Sequence, residues 1–378
     1  MNADTKLSAR IPVTLVTGFL GSGKTTLINR ALKSPELSHT AVVVNEFGQV
    51  GLDHKLYANS NDTVIVLDNG CLCCTVRSDL VSTLNDLFRM RQGGKIPSFD
   101  HMIIETSGLA EPGAVIQAFL SEPTLDGLYR IASVLTLVDA VNFESTLANH
   151  DEAARQVALA DHILITKLDA VEDDPAARQD SLRASLRTSN PAAFILENSD
   201  QLDLVSLLKP AGFDPADPSA DPRPWLNAES YARGHAHKSF GASPFFAFEN
   251  PIENFVLTRD EPMSRDELQF LLDGIAQNLG SGLLRVKGLV NVAEEPGKPA
   301  VIHGVQHLLH TMTWLEKWPD SDERTRVIFI TQGIVRGKLE EIIELLDRMS
   351  KRTFEARARG RLARQSEIKA KETEVTAT

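Results

Sequence analysis

Cysteine is almost missing from these 378 residues: there are three, all between Cys71 and Cys74. A disulfide framework needs pairs spread over the fold, so none is available, and a reducing, cytoplasmic setting is expected. No apolar run approaches the ~20 residues of a membrane span, so no membrane role is expected. The opening Met-Asn-Ala-Asp-Thr-Lys-Leu-Ser has no signal-peptide apolar stretch. Excess positive charge is absent too. The formal net charge is −12, which argues against a nucleic-acid partner, because phosphate backbones are held by a basic footprint. The remaining composition, 42% hydrophobic and 24% charged, is ordinary for a globular chain long enough for two domains.

What is present begins with Gly18-Phe-Leu-Gly-Ser-Gly-Lys-Thr25, which has the spacing G-x-x-x-x-G-K-[ST]. The apolar run Ile11–Thr17 before it has strand length. Behind it, Leu27, Ile28, Ala31 and Leu32 share one helical face. A strand, a glycine loop and a helix N-terminus together make an anion site. The candidate nucleotide-binding residues here are Gly18, Gly21, Ser22, Gly23, Lys24, Thr25 and Thr26. Lys24 reaches the β- and γ-phosphates in such a loop, and the Thr25 hydroxyl holds Mg²⁺.

Residues 11 to about 208 alternate strand-like and helical runs, with about seven strands, at 11–17, 41–45, 63–67, 102–105, 133–138, 163–166 and 193–196. The expected fold class is α/β: a P-loop NTPase parallel sheet with helices on both faces, plus a smaller C-terminal α+β domain. The expected divisions are 1–208 for the nucleotide domain, 209–244 for a flexible Pro/Asp/His linker, 245–349 for the α+β domain and 350–378 for a charged tail. In the second domain the expected elements are strands at 255–257, 284–292, 300–302 and 327–330 and helices at 266–279 and 335–349. His235 and His237 in the linker read as solvated rather than ligating. His303, His307 and His310 fall at i, i+4 and i+7 if helical, which reads as a partly buried polar stripe rather than a metal site.

Three further motifs narrow the function. Met102-Ile-Ile-Glu-Thr-Ser-Gly108 is an apolar strand followed by an acid and a glycine: Glu105 is placed to hold Mg²⁺ and Gly108 to offer its N–H to the γ-phosphate. Thr166-Lys167-Leu168-Asp169 resembles the guanine-reading motif N-K-x-D. Guanine shows two donors that one carboxylate accepts together, so Asp169 favours GTP over ATP, and the Lys167 stem lies over the base. Thr in place of Asn at 166 weakens any tether to the phosphate loop, although a hydroxyl partly replaces an amide. Cys71-Leu-Cys-Cys74 precedes an expected helix at 76–90. Clustered thiols at a helix N-terminus have lowered pKa values and favour soft or borderline metals, of which Zn²⁺ fits. A redox Cys71/Cys74 pair is the alternative reading. Val44-Asn-Glu-Phe-Gly-Gln-Val-Gly-Leu-Asp53 suits a switch loop near the γ-phosphate. Its Glu46 is a candidate catalytic residue, together with Lys24, Thr25 and Glu105, placed to serve Mg²⁺, a water or the metal at the cysteines.

The phosphate loop, N-E-F-G-x-x-G-x-D, C-x-C-C, E-T-S-G-L-A-E-P at 105–112 and T-K-x-D together resemble the CobW-type P-loop GTPases. Arg285-Val-Lys-Gly and Val305-Gln-His-Leu resemble that family's C-terminal domain. The resemblance implies GTP hydrolysis coupled to metal delivery, with zinc held at Cys71, Cys73 and Cys74 and passed to a metal-accepting target protein. It also implies a cobalt branch linked to cobalamin synthesis and allows a homodimer. Gln49 departs from the acid common at its position, and the linker lacks the long His run of many relatives. A P-loop kinase of a small molecule and a zinc-responsive module that does not hydrolyse nucleotide are the competing readings. Leu109 stands where Ras-like GTPases keep the glutamine that orients water, so slow intrinsic turnover is expected.

Overall fold

The computed structural model describes residues 10–45, 76–210, 212–214, 221–227, 230, 252–306, 308–309 and 312–350. Among them lies a six-stranded parallel sheet in the order β2-β3-β1-β4-β5-β6. Its strands are β1 (Ile11–Gly18), β2 (Thr40–Asn45), β3 (His101–Thr106), β4 (Tyr129–Asp139), β5 (His162–Thr166) and β6 (Phe194–Glu197). The expected strand at 63–67 lies outside the described residues.

β1 is central, and its neighbours on both sides enter the sheet later in the chain. Loops at its carboxyl end therefore open onto a crevice, where open α/β sheets bind ligands. Helices cover both faces. Val13 and Leu15 pack in one apolar cluster with Leu84 and Leu87 of α2 (Val76–Gln92) and Val115 and Phe119 of α3 (Pro112–Ser121). Val16 packs on the other face with Leu27 and Ile28 of α1 (Lys24–Ala31). α1 starts at Lys24, three residues before Leu27, the first residue of its apolar face, because helical geometry continues straight out of the glycine loop. Helix α4 (Pro123–Leu128) leads into β4. α5 (Phe143–Asn149) and α6 (Asp151–Leu159) then lead to β5, and α7 (Pro175–Ser189) to β6.

The second sheet is antiparallel, in the order β10-β9-β8-β12-β7, with β11 paired to β9. Its strands are β7 (Ile252–Arg259), β8 (Leu283–Val290), β9 (Ala300–Val305), β10 (Leu308–Leu309), β11 (Thr313–Trp314) and β12 (Thr325–Gln332). The helix Arg265–Leu279 backs it, entered through a capping box in which Ser264 and Glu267 satisfy each other's backbone N–H groups. A closing helix spans 336–350.

Two expectations need correction. His303 lies on β9 and pairs with Lys287 across the sheet, so the i, i+4, i+7 spacing does not describe one helical face. Strand alternation wins because Val301 and Ile302 are buried on opposite faces of β9. His307 and His310 lie outside the described residues. The stretch expected to be a flexible linker is also partly packed: Phe213 and Leu226 are buried against Leu289, Val301 and Ile328, and Asn227 Nδ2 donates to Ala192 O (2.8 Å). Isolated apolar side chains among prolines found a surface to cover that the sequence does not show.

Candidate functional site

The phosphate loop leaves the end of β1 in a conformation only glycine adopts comfortably. Gly18, Gly21 and Gly23 have φ of 137°, 73° and 97°. At Gly18 a β-carbon would sit 2.4 Å from the Leu137 carbonyl oxygen, so the close approach to β4 adds a second reason. α1 begins with Gly23 as its N-cap and no capping side chain. Its first N–H groups are left for an anion. Lys24 is buried, and its ammonium folds back to donate to Gly18 O (2.8 Å) and Phe19 O (3.3 Å).

Register brings the acid to this loop. β1 and β3 pair with Val16 opposite Glu105, which places Glu105 beside the start of α1. The carboxylate is 1% exposed and accepts from the Thr25 hydroxyl at 2.6 Å. A hydroxyl and a buried carboxylate side by side are hard oxygen donors of the kind that Mg²⁺ takes beside a triphosphate. The donor set therefore fits the ion. Gly108 follows on the same loop, buried, where a β-carbon would lie 2.5 Å from Leu20 N. The acid-side loop and the phosphate loop thus touch backbone to backbone.

The third expected loop is also joined to the phosphate loop. Thr166, at the end of β5, donates its hydroxyl to Ser22 O (2.8 Å), with Val138 O 3.2 Å away. The Thr-for-Asn exchange has kept the tether. Lys167 sits in the left-handed region (φ 59°), and its ammonium meets Asp139 Oδ2 at 2.7 Å. Asp169 lies exposed in the short turn Leu168–Ala170, with its carboxylate open to a ligand edge. Thr26 is exposed on α1 and Ser22 is buried.

Sequence reasoning missed Asp139. It ends β4 much as Glu105 stands one residue before the end of β3, and that near-equivalent position was the available signal. Its carboxylate accepts from Lys167, from the Asn142 side chain (3.1 Å) and from the Val141 N–H (2.9 Å). Burial works against its charge, but the Lys167 and Asn142 contacts outweigh that and hold it below the ordinary carboxylate range. A cavity of about 290 Å³ bordered by Phe19, Leu20, Ser22, Asp139 and Gln156 opens beside the loop. A cavity of about 320 Å³ at the seam between the domains, bordered by Phe213, Trp225 and Lys287, lies apart from this chemistry.

Glu46, Cys71, Cys73, Cys74, His235 and His237 lie outside the described residues. Among the described residues no group of three or more His, Cys, Asp or Glu is arranged to hold a metal ion. No described helix is long and apolar enough to cross a membrane.

Comparison with known proteins matches residues 12–197 to the CobW/HypB/UreG nucleotide-binding domain and residues 252–347 to the cobalamin synthesis protein cobW C-terminal domain. The zinc chaperone YjiA of Escherichia coli is 32% identical over 322 residues, covering 85% of this chain and 93% of YjiA. The zinc-regulated GTPase metalloprotein activator 1 of Schizosaccharomyces pombe is 31% identical over 204 residues, 52% of this chain and 48% of that protein. Among solved structures, a Zn(II)-bound triple mutant of the YjiA GTPase aligns with a TM-score of 0.63 at 27% identity, covering 89% of this chain and 97% of that one.

Proposed function

From the premise that this chain belongs to the CobW/HypB/UreG family and carries the cobW C-terminal domain, we propose that it is a GTP-hydrolysing metallochaperone that delivers zinc to a target protein. The observation that carries the nucleotide half is the Thr166 hydroxyl on the Ser22 carbonyl. It ties the base-reading loop to the phosphate loop, so a base at Asp169 and phosphates at Gly18–Thr25 belong to one ligand. The zinc half is supported by relatives named as zinc chaperones and zinc-regulated GTPases and by the thiols of Cys71, Cys73 and Cys74.

In this reading the α1 N-terminus and Lys24 take the β- and γ-phosphates, and Lys24 exchanges its bonds to Gly18 O and Phe19 O for phosphate oxygens. Thr25 and Glu105 would hold Mg²⁺, which would supply positive charge to offset that of the phosphates. Asp169 accepts from the two guanine donors and excludes adenine. The Lys167 stem covers the base while Asp139 holds its ammonium. Gly108 N–H meets the γ-phosphate, and the loop 44–53 with Glu46 links that phosphate to the cysteines. Cargo release cannot come from the switch alone. Thiolate zinc sites hold their ion by ~10–16 kcal/mol in peptides, whereas inverting a two-state switch takes ~5.5. Ligand exchange with the accepting protein completes the transfer. Co²⁺ is the competing cargo.

The test is GTP turnover with and without stoichiometric Zn²⁺, with Co²⁺ in parallel and metal counted per chain. Zn²⁺ should raise a slow basal rate. Joint replacement of Cys71, Cys73 and Cys74 by serine should remove that stimulation while leaving GTP affinity in place. A rate indifferent to both ions would overturn the coupling. Loss of GTP affinity in the serine variant would make the cysteines structural.

A further inference from the structure

Two adjacent residues of α6 reach in different directions. Gln156 is 1% exposed. Its side-chain amide donates to Gly108 O (3.0 Å) and Ala110 O (3.1 Å), the two carbonyls that flank Leu109 in the acid-side loop. Arg155 beside it donates from Nε to Gln332 Oε1 (2.7 Å), at the end of β12 in the second domain. Its guanidinium also pairs with Glu111, which caps α3 where the same loop ends. The helix itself is held from both domains. Thr136 of β4 donates to Gln156 O at 2.8 Å. At the far end, Arg285 of β8 donates to Leu159 O.

We propose that Gln156 is a positioning residue for the loop 107–110 that meets the γ-phosphate, and that α6 ties that loop's geometry to the C-terminal domain through Arg155. This rests on the GTPase reading given above.

Gly108 has to be glycine because Leu20 N leaves no room for a β-carbon. The freedom that admits the close approach also lets the peptide after it turn over. That peptide joins the Gly108 carbonyl to the Leu109 N–H and is planar and trans, so a held carbonyl fixes its orientation. With it is fixed the path of the backbone on either side of Gly108, whose own N–H belongs to the peptide before. Gln156 supplies one donor for each of two carbonyls, and a buried carbonyl left without a donor is costly. Leucine at this position fills similar space with no donor. Glutamate would set an acceptor against two acceptors. GDP carries no γ-phosphate to touch this loop, so the role separates the two nucleotides. A residue that merely supports the core would weaken both alike. Arg155 is positioned differently: it leaves Gly108 alone and anchors the loop's exit at Glu111 to β12, so its removal should act in the same sense and less strongly.

The experiment uses the full chain and compares Gln156→Leu, Arg155→Met and the unsubstituted protein. The affinities for GDP and for the slowly hydrolysed analogue GTPγS are measured, with kcat for GTP. Gln156→Leu should weaken GTPγS binding and lower kcat by roughly ten-fold or more, while GDP affinity stays within about two-fold. Arg155→Met should shift the GTPγS-to-GDP ratio the same way by roughly three-fold. Equal weakening of both nucleotides, or an unchanged ratio and kcat, would overturn the proposal. If Gln156→Leu does not fold, the ratio in Arg155→Met decides by the same criterion. An unsubstituted protein that neither hydrolyses GTP nor distinguishes the two nucleotides would sink the GTPase reading, and this role with it. A working wild type matched by both variants sinks the positioning role alone.

Discussion

In the parallel sheet β1 is closed on both sides by helices of its own domain, with Val13 and Leu15 under α2 and α3 and Val16 under α1. In the antiparallel sheet β12 is closed on one side by its own helices, at Val327 and Phe329. On the other side Ile330 joins the cluster of α6 and α7, and Ile328 joins Phe213 and Leu226. The first sheet carries its cover with it, because parallel strands need helical crossovers. The second would expose the apolar face of Ile328 and Ile330 without the nucleotide domain and the packed part of the 209–244 stretch. The apolar run Val327–Ile330 is therefore a record of an interface as well as of a strand.

The polar centre of that interface is Asp161, immediately before β5. Its Oδ1 accepts from Arg285 (3.0 Å) and Lys287 (2.7 Å) of β8, and its Oδ2 from Val134 N–H (3.0 Å). Burial opposes its charge, yet the two cations hold its carboxyl well below the usual range. Lys287 bears the cost: burial, with Arg285 beside it, pushes it down to about 8. The contrast between the sheets is tested most severely here. Asp161→Ala leaves two buried cations facing each other and should destabilise by about 3–5 kcal/mol. Calorimetry should show the C-terminal transition falling further than the nucleotide domain's. A uniform shift of both would mean that the second sheet does not depend on the seam.

The nucleotide domain has its own sensitive point, away from the seam. His101 begins β3, is fully buried and shares a hydrogen bond with the Thr14 hydroxyl (3.1 Å). Burial, then Lys209, lowers it to about 4. In the unfolded chain an imidazole titrates near ~6.5, so between those values the unfolded chain binds the extra proton. The stability tied to neutral His101 is complete above the unfolded value and is lost as pH falls through the folded one, about 3 kcal/mol in all. Denaturant titrations between neutral pH and pH 4 should show this loss in the wild type and a shallower one in His101→Gln. Equal slopes would remove His101 from the account. The smallest expected effect is Thr166→Val, which keeps shape and removes the tether. It should weaken GTP by about 1 kcal/mol, roughly five-fold, with little change in the second sheet's melting. An unchanged affinity would show that the two loops are held together by packing alone.

Much of the nucleotide site was legible because its residues are neighbours in the chain. Gly18 to Thr25 lie within one turn, Glu105 and Gly108 within another, and a one-dimensional spacing states such geometry directly. Arg285-Val-Lys-Gly was also visible as a motif, but its partner Asp161 was not, since nothing local links a β8 strand to the residue before β5. Asp139, Arg155 and Gln156 were missed for the same reason. Each acts on a group brought close only by the sheet order: Lys167 for Asp139, Glu111 and Gln332 for Arg155, Gly108 for Gln156. The histidine spacing misled because strand pairing, not helical period, decides what His303 faces.

By itself the sequence determined the phosphate loop, the acid at the end of β3 and the glycine just after it, the Thr-Lys-x-Asp turn and the order of strands and helices, because each depends on backbone preferences and spacing over a few residues. Tertiary structure alone decided that Thr166 keeps its tether, that one face of the second sheet is covered from outside its own helices, and that α6 stands between the loop 107–110 and β12. Those contacts join residues far apart in the chain, and their energies exist only after the chain has closed on itself.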